Sequence, residues 1–389
     1  MLTGRCSFVV PAVVARVGVA MHGLAILWAV HGAAGSFALA GAATGAFAGA
    51  EALAGPQVAR LIDRHGQRRV VSITATAYVV CGAALILAPA WPAPALAAAA
   101  GATIPPVGAL SAARWRHVLG PRGNLSAALA LEGAANDVAF LLGPVLVTAL
   151  GSAVAPRAGL ALAVLLVGGG VAGVLAATAS EPPPGGPSRG LLVDRRLLHR
   201  RFVALFAANL GLGCFFGGIG VAVTAFALAH RAGALAGPIM AVAGAVSLVA
   251  GLGYGAAGRR LRPAPSMLAA SLVVTVGCAL LARVGSVPAM VAGYGIVGGC
   301  VALVLIPGAV LVQAVTDRAV YTQALTWINS ASALGIAAGA AAVGGCVGRF
   351  GWAPGFLLLA ALTALLPGTL LAAYPLLRDV RSGPGRSSA

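Results

Sequence analysis

Charge is what this sequence has least of. Only 8% of its 389 residues are Asp, Glu, Lys or Arg, against 60% hydrophobic, whereas a soluble domain carries roughly 25% charged residues. That shortage excludes a water-soluble globule, which could not cover itself with polar groups. Lysine is missing altogether, so all 25 basic residues are Arg. They stand in short clusters between apolar runs, and that spacing excludes the basic face a nucleic-acid partner needs, despite a net charge of +17. The six cysteines contain no CxxC pair and five of them fall within apolar runs, which argues for small packing residues over a disulfide or a metal site. HExxH, GxSxG and a phosphate-cradling loop are all absent, and the six histidines are scattered over different segments. No cofactor, metal or catalytic constellation is expected.

What is present is hydrophobic length. Val70–Ala113, Phe202–His230, Val284–Thr316, Ala319–Gly348 and Phe350–Leu377 contain no Asp, Glu, Lys or Arg. A helix needs about 20 apolar residues to cross a bilayer, so the longest of these runs are hairpins of two spans. Repeated proline from Pro89 to Pro94 splits one of them, because each ring removes a backbone donor and disfavours helix before it. Spans are expected near 8–30, 35–59, 70–90, 93–113, 124–150 and 155–179, and again near 202–229, 234–257, 265–284, 288–314, 320–347 and 353–375. The first apolar run is too long for a signal peptide and reads as an uncleaved span. The expected fold is all-α: a polytopic membrane protein of 12 transmembrane helices in two six-helix bundles.

Arginine sets the orientation. With both termini cytoplasmic, inside loops and tails hold 20 Arg and outside loops hold 4 (Arg157, Arg231, Arg283 and Arg349), with Arg16 inside a span. This is the bias that positive-inside topology requires. The Pro- and Gly-rich stretch from Glu181 to Arg201 reads as a cytoplasmic linker. The expected organisation is therefore an N-terminal bundle over 1–180, a linker over 181–201, and a C-terminal bundle with a short tail over 202–389. Arg-only, Ala/Gly-rich usage fits a GC-rich bacterial genome and a cytoplasmic membrane.

Four ionisable residues fall well inside expected spans: Arg16, Glu51, Glu132 and Asp137. A charge at bilayer depth costs at least about 2.5–3.5 kcal/mol, so each needs a partner or a purpose. One Arg cannot neutralise three carboxylates, and at least one is expected to carry a proton. Counted from the cytoplasmic ends, Arg16, Glu51 and Glu132 lie about 12 Å deep, which suggests an Arg16–Glu132 or an Arg16–Glu51 pair. Asp137 is deeper, and Asn136 shares a face with Glu132. The competing reading makes these groups buried ties that lock helix packing. The C-terminal half offers no deep ionisable residue. Its cavity candidates are Asn209, Gln323, Trp327 and Asn329, with Gln323 and Trp327 on one helical face. A Trp there can equally be a helix-interface residue.

Between the second and third spans runs Gly55-Pro-Gln-Val-Ala-Arg-Leu-Ile-Asp63-Arg64-His-Gly66-Gln-Arg68-Arg69. It resembles the loop signature of the major facilitator superfamily, Gly-x-x-x-Asp-Arg-x-Gly-x-Arg-Arg. Asp63, Arg64, Gly66, Arg68 and Arg69 match, and Ala59 replaces the first Gly. Gly66 suits a turn with positive φ, and Asp63 is placed to pair with Arg114 or Arg116 or to cap a helix. The resemblance implies that this loop latches the two halves during a transport cycle. Leu142-Gly143-Pro144 in the fifth span resembles the Gly-Pro core found in exporters of that superfamily. A degenerate copy of the loop stands at Gly251–Arg260, as two related bundles would have. The wording around Leu131 to Pro144 and Thr322 to Trp327 is similar to actinobacterial members.

The resemblance implies a monomeric secondary transporter of a small organic solute in a lipid bilayer, working by alternating access, with proton-coupled efflux preferred. Asp137 leads the candidate proton or substrate sites, followed by Glu132 and Glu51. The alternatives are an uptake symporter and a transport-inactive sensor or scaffold of the same fold, since fold alone does not dictate activity.

Overall fold

The structure is a computed structural model, described here over residues 6–119, 125–183, 199–257, 262–316 and 321–378. Those residues form helices without a strand among them. Lipid offers backbone groups no partner, so each apolar run must satisfy its own N–H and C=O groups, which an α-helix does. Six spans precede the linker: α1 (Val9–Ala34), α2 (Phe37–His65), α3 (Gln67–Leu87), the pair α4 (Ala93–Thr103) and α5 (Val107–Leu119), α6 (Leu125–Ala153) and α7 (Ala158–Ala176). Six follow it: α8 (Arg200–Ala229), α9 (Ala236–Ala257), α10 (Pro263–Leu281), α11 (Val287–Val315), α12 (Tyr321–Phe350) and the pair α13 (Trp352–Thr363) with α14 (Leu365–Leu377). The twelve expected spans are therefore present among the described residues.

Boundaries differ from expectation where turn chemistry was misjudged. The second span continues to His65, six residues beyond the expected end, because Pro56 is tolerated inside α2. Gly66, at φ +87°, ends it, and its N–H bonds the Ile62 carbonyl at 2.8 Å. The fourth span is broken: Ile104-Pro105-Pro106 interrupts the helix between α4 and α5, as two missing donors in succession require. A two-residue turn, Gly35-Ser36, joins α1 to α2. Gly35 takes φ +65°, and the Ser36 hydroxyl accepts from the Leu39 N–H at 3.2 Å to cap α2.

The chain divides into two compact units. The first holds Met1–Gly190 with the short segment Gly233–Pro238, the second Leu191–Ala232 with Ile239–Ala389. In the first, α1 is the hub. A Cβ at Gly170 would stand 2.6 Å from the Pro11 carbonyl oxygen, and one at Gly18 would stand 2.8 Å from the Ala163 oxygen, so α1 and α7 touch backbone to backbone. In the second, α8 and α12 make the corresponding seam: a Cβ at Gly213 would lie 2.9 Å from the Cα of Gly335, and one at Gly339 would lie 2.8 Å from the Cα of Cys214. Small residues let helices approach this closely where lipid supplies no hydrophobic drive between them. Phe202, Leu205, Met267, Leu311, Leu366 and Leu370 fill the core beside that seam. All six cysteines are free thiols.

Candidate functional site

The polar chemistry of the first unit is gathered on α1, α5 and α6. Arg16 and Glu132 each lie seven residues in from the start of their helices, and they form an ion pair, with both side chains 11% exposed. The same carboxylate accepts from the Ser111 hydroxyl at 2.5 Å and from the Trp115 indole N–H at 2.9 Å. Ser111 and Trp115 are one turn apart on α5, so both reach the same oxygen. Gly108 faces the guanidinium, and a Cβ there would meet one Arg16 nitrogen at an ordinary contact distance of 3.7 Å. Three charge-assisted contacts satisfy Glu132 and tie three helices at one level.

Of the two pairings open to Arg16, Glu132 has taken it and Glu51 has not. The longer α2 explains this, because its extra six residues put Glu51 about 9 Å further from the C-terminal end of the helix than the sequence reading allowed. Glu51 is half-buried, and among the described residues it has no hydrogen bond or ion pair. Asp137 is exposed, also with no such partner among the described residues, and Asn136 beside it is half-buried.

Two residues passed over in the sequence, His22 and Tyr78, form a buried pair beside Phe47, one turn of α2 before Glu51. The His22 ring hydrogen-bonds the Tyr78 hydroxyl, and it stacks on Phe47 with ring centroids 5.1 Å apart and planes 9° apart. Glu51 is one turn beyond Phe47 on α2 and acts electrostatically on the Tyr78 hydroxyl. The sequence signal was there: His22 is a polar ring in the middle of an otherwise apolar run.

The loop after α2 is organised differently from its expectation. Arg114 does not pair with Asp63. It is fully buried, donating from Nε to the Gln67 side-chain oxygen at 2.9 Å, and from one terminal nitrogen to the Ala177 carbonyl and the Ser180 hydroxyl, each at 2.7 Å. Arg116 is exposed and Asp63 is exposed in the last turn of α2, with no ion pair between them among the described residues. The N-terminal cap expected of Asp63 comes from Glu181, which accepts from the Arg68 backbone N–H at 2.9 Å. The reason is geometric. A carboxylate in the last turn of a helix faces carbonyls, whereas Glu181, arriving from beyond α7, meets the free N–H groups that begin α3. Arg64, Arg68 and Arg69 point outward, exposed. Of the degenerate second loop, Arg259 and Arg260 lie outside the described residues.

Gly143 packs on α1, where a Cβ would be 3.1 Å from the Ala20 carbonyl carbon. Pro144 follows inside α6, and its carbonyl accepts from the Thr148 hydroxyl at 2.9 Å. The Gly-Pro pair is thus a close-packed helix seam.

In the second unit, a cavity of about 210 Å³ brings together Asn209 of α8 with Asn329 and Ser332 of α12, between walls that include Leu212, Met267 and Val304. The Asn209 amide nitrogen is held by the Leu205 carbonyl at 2.9 Å, which presents the amide oxygen as acceptor. A larger cavity of about 410 Å³ between α10 and α11 is lined by Leu272, Val276, Leu280, Ile296 and other apolar residues, and has no polar side chain to orient a solute. Trp327 is half-buried against Phe206, with ring centroids 6.3 Å apart, so it packs across the α8–α12 seam. Gln323 is in α12, and its side chain lies outside the described residues.

Twelve apolar helices in two units, with polar groups held between helices of the same unit, define an integral membrane transporter fold. A profile described as Major Facilitator Superfamily matches residues 10–282, and the chain belongs to that superfamily. A search of curated proteins finds no match. Among solved structures, the chain is similar to the nucleoside transporter NupG at 14% identity, covering 95% of this chain and 99% of that one, with a TM-score of 0.76. It is similar to the peptide transporter POT in complex with sulfate at 14% identity, covering 98% and 96%, with a TM-score of 0.75. It is also similar to the human organic anion transporter MFSD10 (TETRAN) at 18% identity, covering 94% and 99%, with a TM-score of 0.63. At such identities the likeness is one of fold. The chain is a secondary transporter rather than an enzyme.

Proposed function

We propose that the protein exports a small organic solute by alternating access in exchange for protons, as a monomer in the bacterial cytoplasmic membrane with both termini inside. The observation that carries the coupling is a count. Among the described residues two Arg are largely buried in spans: Arg114 of α5 is held by Gln67, Ala177 and Ser180, and Glu132 takes the charge of Arg16. Glu51 and Asp137 are left with no cation beside them among the described residues. A carboxylate in a span without a counter-ion is costly as an anion and is relieved by a proton. Asp137, exposed on its helix, is the first exchange site. Glu132, satisfied by three donors, has a packing role. The Gly143-Pro144 seam favours export over import, by resemblance alone. The amides of Asn209 and Asn329 suit a solute with hydrogen-bonding groups among apolar surface.

The test is flux in proteoliposomes under an imposed pH gradient, with pyranine reporting lumenal pH while a compound library including nucleosides, di- and tripeptides and organic anions is added. Wild type moves protons in response to at least one compound. Asp137→Asn abolishes that response with normal insertion. Full coupling in that variant would remove Asp137 from the mechanism, and silence of the wild type across the library would favour the sensor or scaffold reading.

A further inference from the structure

Asp137 does not exhaust the unpaired acid in the first unit. Glu51 remains, and its surroundings differ from those of a stray charge. His22, Glu51 and Tyr78 each sit within one residue of the midpoint of their own helices, α1, α2 and α3. That is the depth at which transporters place ion and substrate sites. His22 is 2% exposed and Tyr78 0%. One imidazole nitrogen, Nε2, is bonded to the Tyr78 hydroxyl, while the ring also lies against the Gly18 and Val19 carbonyls of the preceding turn of α1, with no well-formed hydrogen bond at Nδ1. A histidine buried inside a span is rare and marks a proton or ion path, and here its side-chain partner is Tyr78. Phe47 stacks on the ring and holds its plane, so the bonded nitrogen stays aimed at Tyr78.

The other titratable groups around this cluster are accounted for. On α1 itself, Arg16 is committed to Glu132, and His31 stacks on Phe37, rings 3.9 Å apart, near the far end of the helix. α6 carries Glu132 and Asp137, α5 carries Arg114, Arg116 and His117 toward its C-terminal end, α2 carries Arg60, Asp63, Arg64 and His65 in its last two turns, more than two turns beyond Glu51, and α3 has Arg68 and Arg69 in its first turn and Cys81 beyond Tyr78. α4 and α7 have no Asp, Glu, His, Cys, Tyr, Lys or Arg. Glu51 is therefore the acid partner available to the Tyr78–His22 pair.

We propose that Glu51, Tyr78 and His22 form a second proton-binding site in the first unit, separate from Asp137. The site takes one proton from water. Before uptake Glu51 is a carboxylate and His22 is neutral. After uptake the added proton resides on the Glu51 carboxyl or on the His22 imidazole, while the Tyr78 hydroxyl stays neutral and connects the two electrostatically. No other bond changes. The inference rests on the proton-coupled reading above, and it assigns that reading a second acid and the residues that tune it.

The test needs neither substrate nor flux, so its failure is distinguishable from failure of the transport assay. The full chain, labelled with 15N-histidine in detergent micelles, is titrated while ring nitrogen resonances and the carboxylic C=O infrared band are followed. His22→Gln and Glu51→Gln assign the respective signals. In wild type, His22 and Glu51 respond in one coupled transition. Glu51→Gln removes the neighbouring negative charge and moves the His22 transition to lower pH by about one unit. Asp137→Asn leaves the His22 transition in place. Tyr78→Phe, which deletes the hydroxyl alone, separates the His22 and Glu51 responses. A His22 signal indifferent to Glu51→Gln, or a carboxyl band at Glu51 that never changes with pH, would overturn the proposal. Should Tyr78→Phe fail to fold, the Glu51→Gln comparison still decides it.

Discussion

The first unit keeps its ionisable chemistry inside its spans and the second has almost none. Arg16, His22, Glu51, Glu132 and Asp137 all sit well inside α1, α2 and α6. Among the described residues of the second unit, Arg and His stand at helix ends or in turns, such as Arg200 at the start of α8 and Arg349 at the close of α12. Cohesion differs accordingly. In the first unit one carboxylate with three donors draws α1, α5 and α6 together, beside the glycine seam of α1 and α7. In the second, glycine lets α8 and α12 meet along bare backbone, and apolar side chains fill the remainder. The lesson is a division within one fold: one unit holds carboxylates without a counter-ion among the described residues, while the other offers amides in a small apolar cavity.

The comparison can be broken most forcefully at Glu132. Glu132→Ala leaves the Arg16 guanidinium buried and unpaired, and should destabilise the protein by about 3–5 kcal/mol. The double variant Arg16→Met/Glu132→Leu should recover most of that loss. Thermal unfolding in detergent measures both, and equal losses in the single and double variants would deny the pair its packing role. Next comes the seam of the second unit. Gly335→Val forces side-chain atoms against α8 and should cost about 1–3 kcal/mol. Gly345→Ala, on the same helix with nothing within 4 Å of its new Cβ, should be close to neutral. A smaller effect, about 1 kcal/mol, is expected when Ser36→Ala removes the cap of α2, read from the same unfolding curves. The smallest belongs to Asp137→Asn. Exposed and unpaired, it should change stability by less than about 0.5 kcal/mol while abolishing pH-driven flux. A large stability loss there would make Asp137 a packing group like Glu132, and would erase the contrast between them.

The candidate site was only partly legible in the residues. The isolated charges stood out because Arg16, Glu51, Glu132 and Asp137 interrupt long apolar runs. Their partners did not, because pairing depends on where each helix ends. An α2 six residues longer than expected was enough to take Glu51 out of register with Arg16, which pairs with Glu132. Arg114 illustrates the same limit. Its sequence neighbours invited a salt bridge with Asp63, yet its burial carried it to Gln67, Ala177 and Ser180, and Glu181 took the capping position. Trp327 was open between cavity and interface, and packing against Phe206 placed it in the interface.

Composition and hydrophobic length determined, unaided, that this chain lives in lipid as twelve helices, because a bilayer admits few solutions and each must appear as a long uncharged run. The Asp63–Arg69 loop added the superfamily, because its turn and charges recur at one place in the topology. Which carboxylate is neutralised and which stands free was decided only by tertiary structure. Ion pairing falls off within a few ångströms, and the depth and rotation of each helix are set by glycine contacts and helix ends that one-dimensional spacing does not encode.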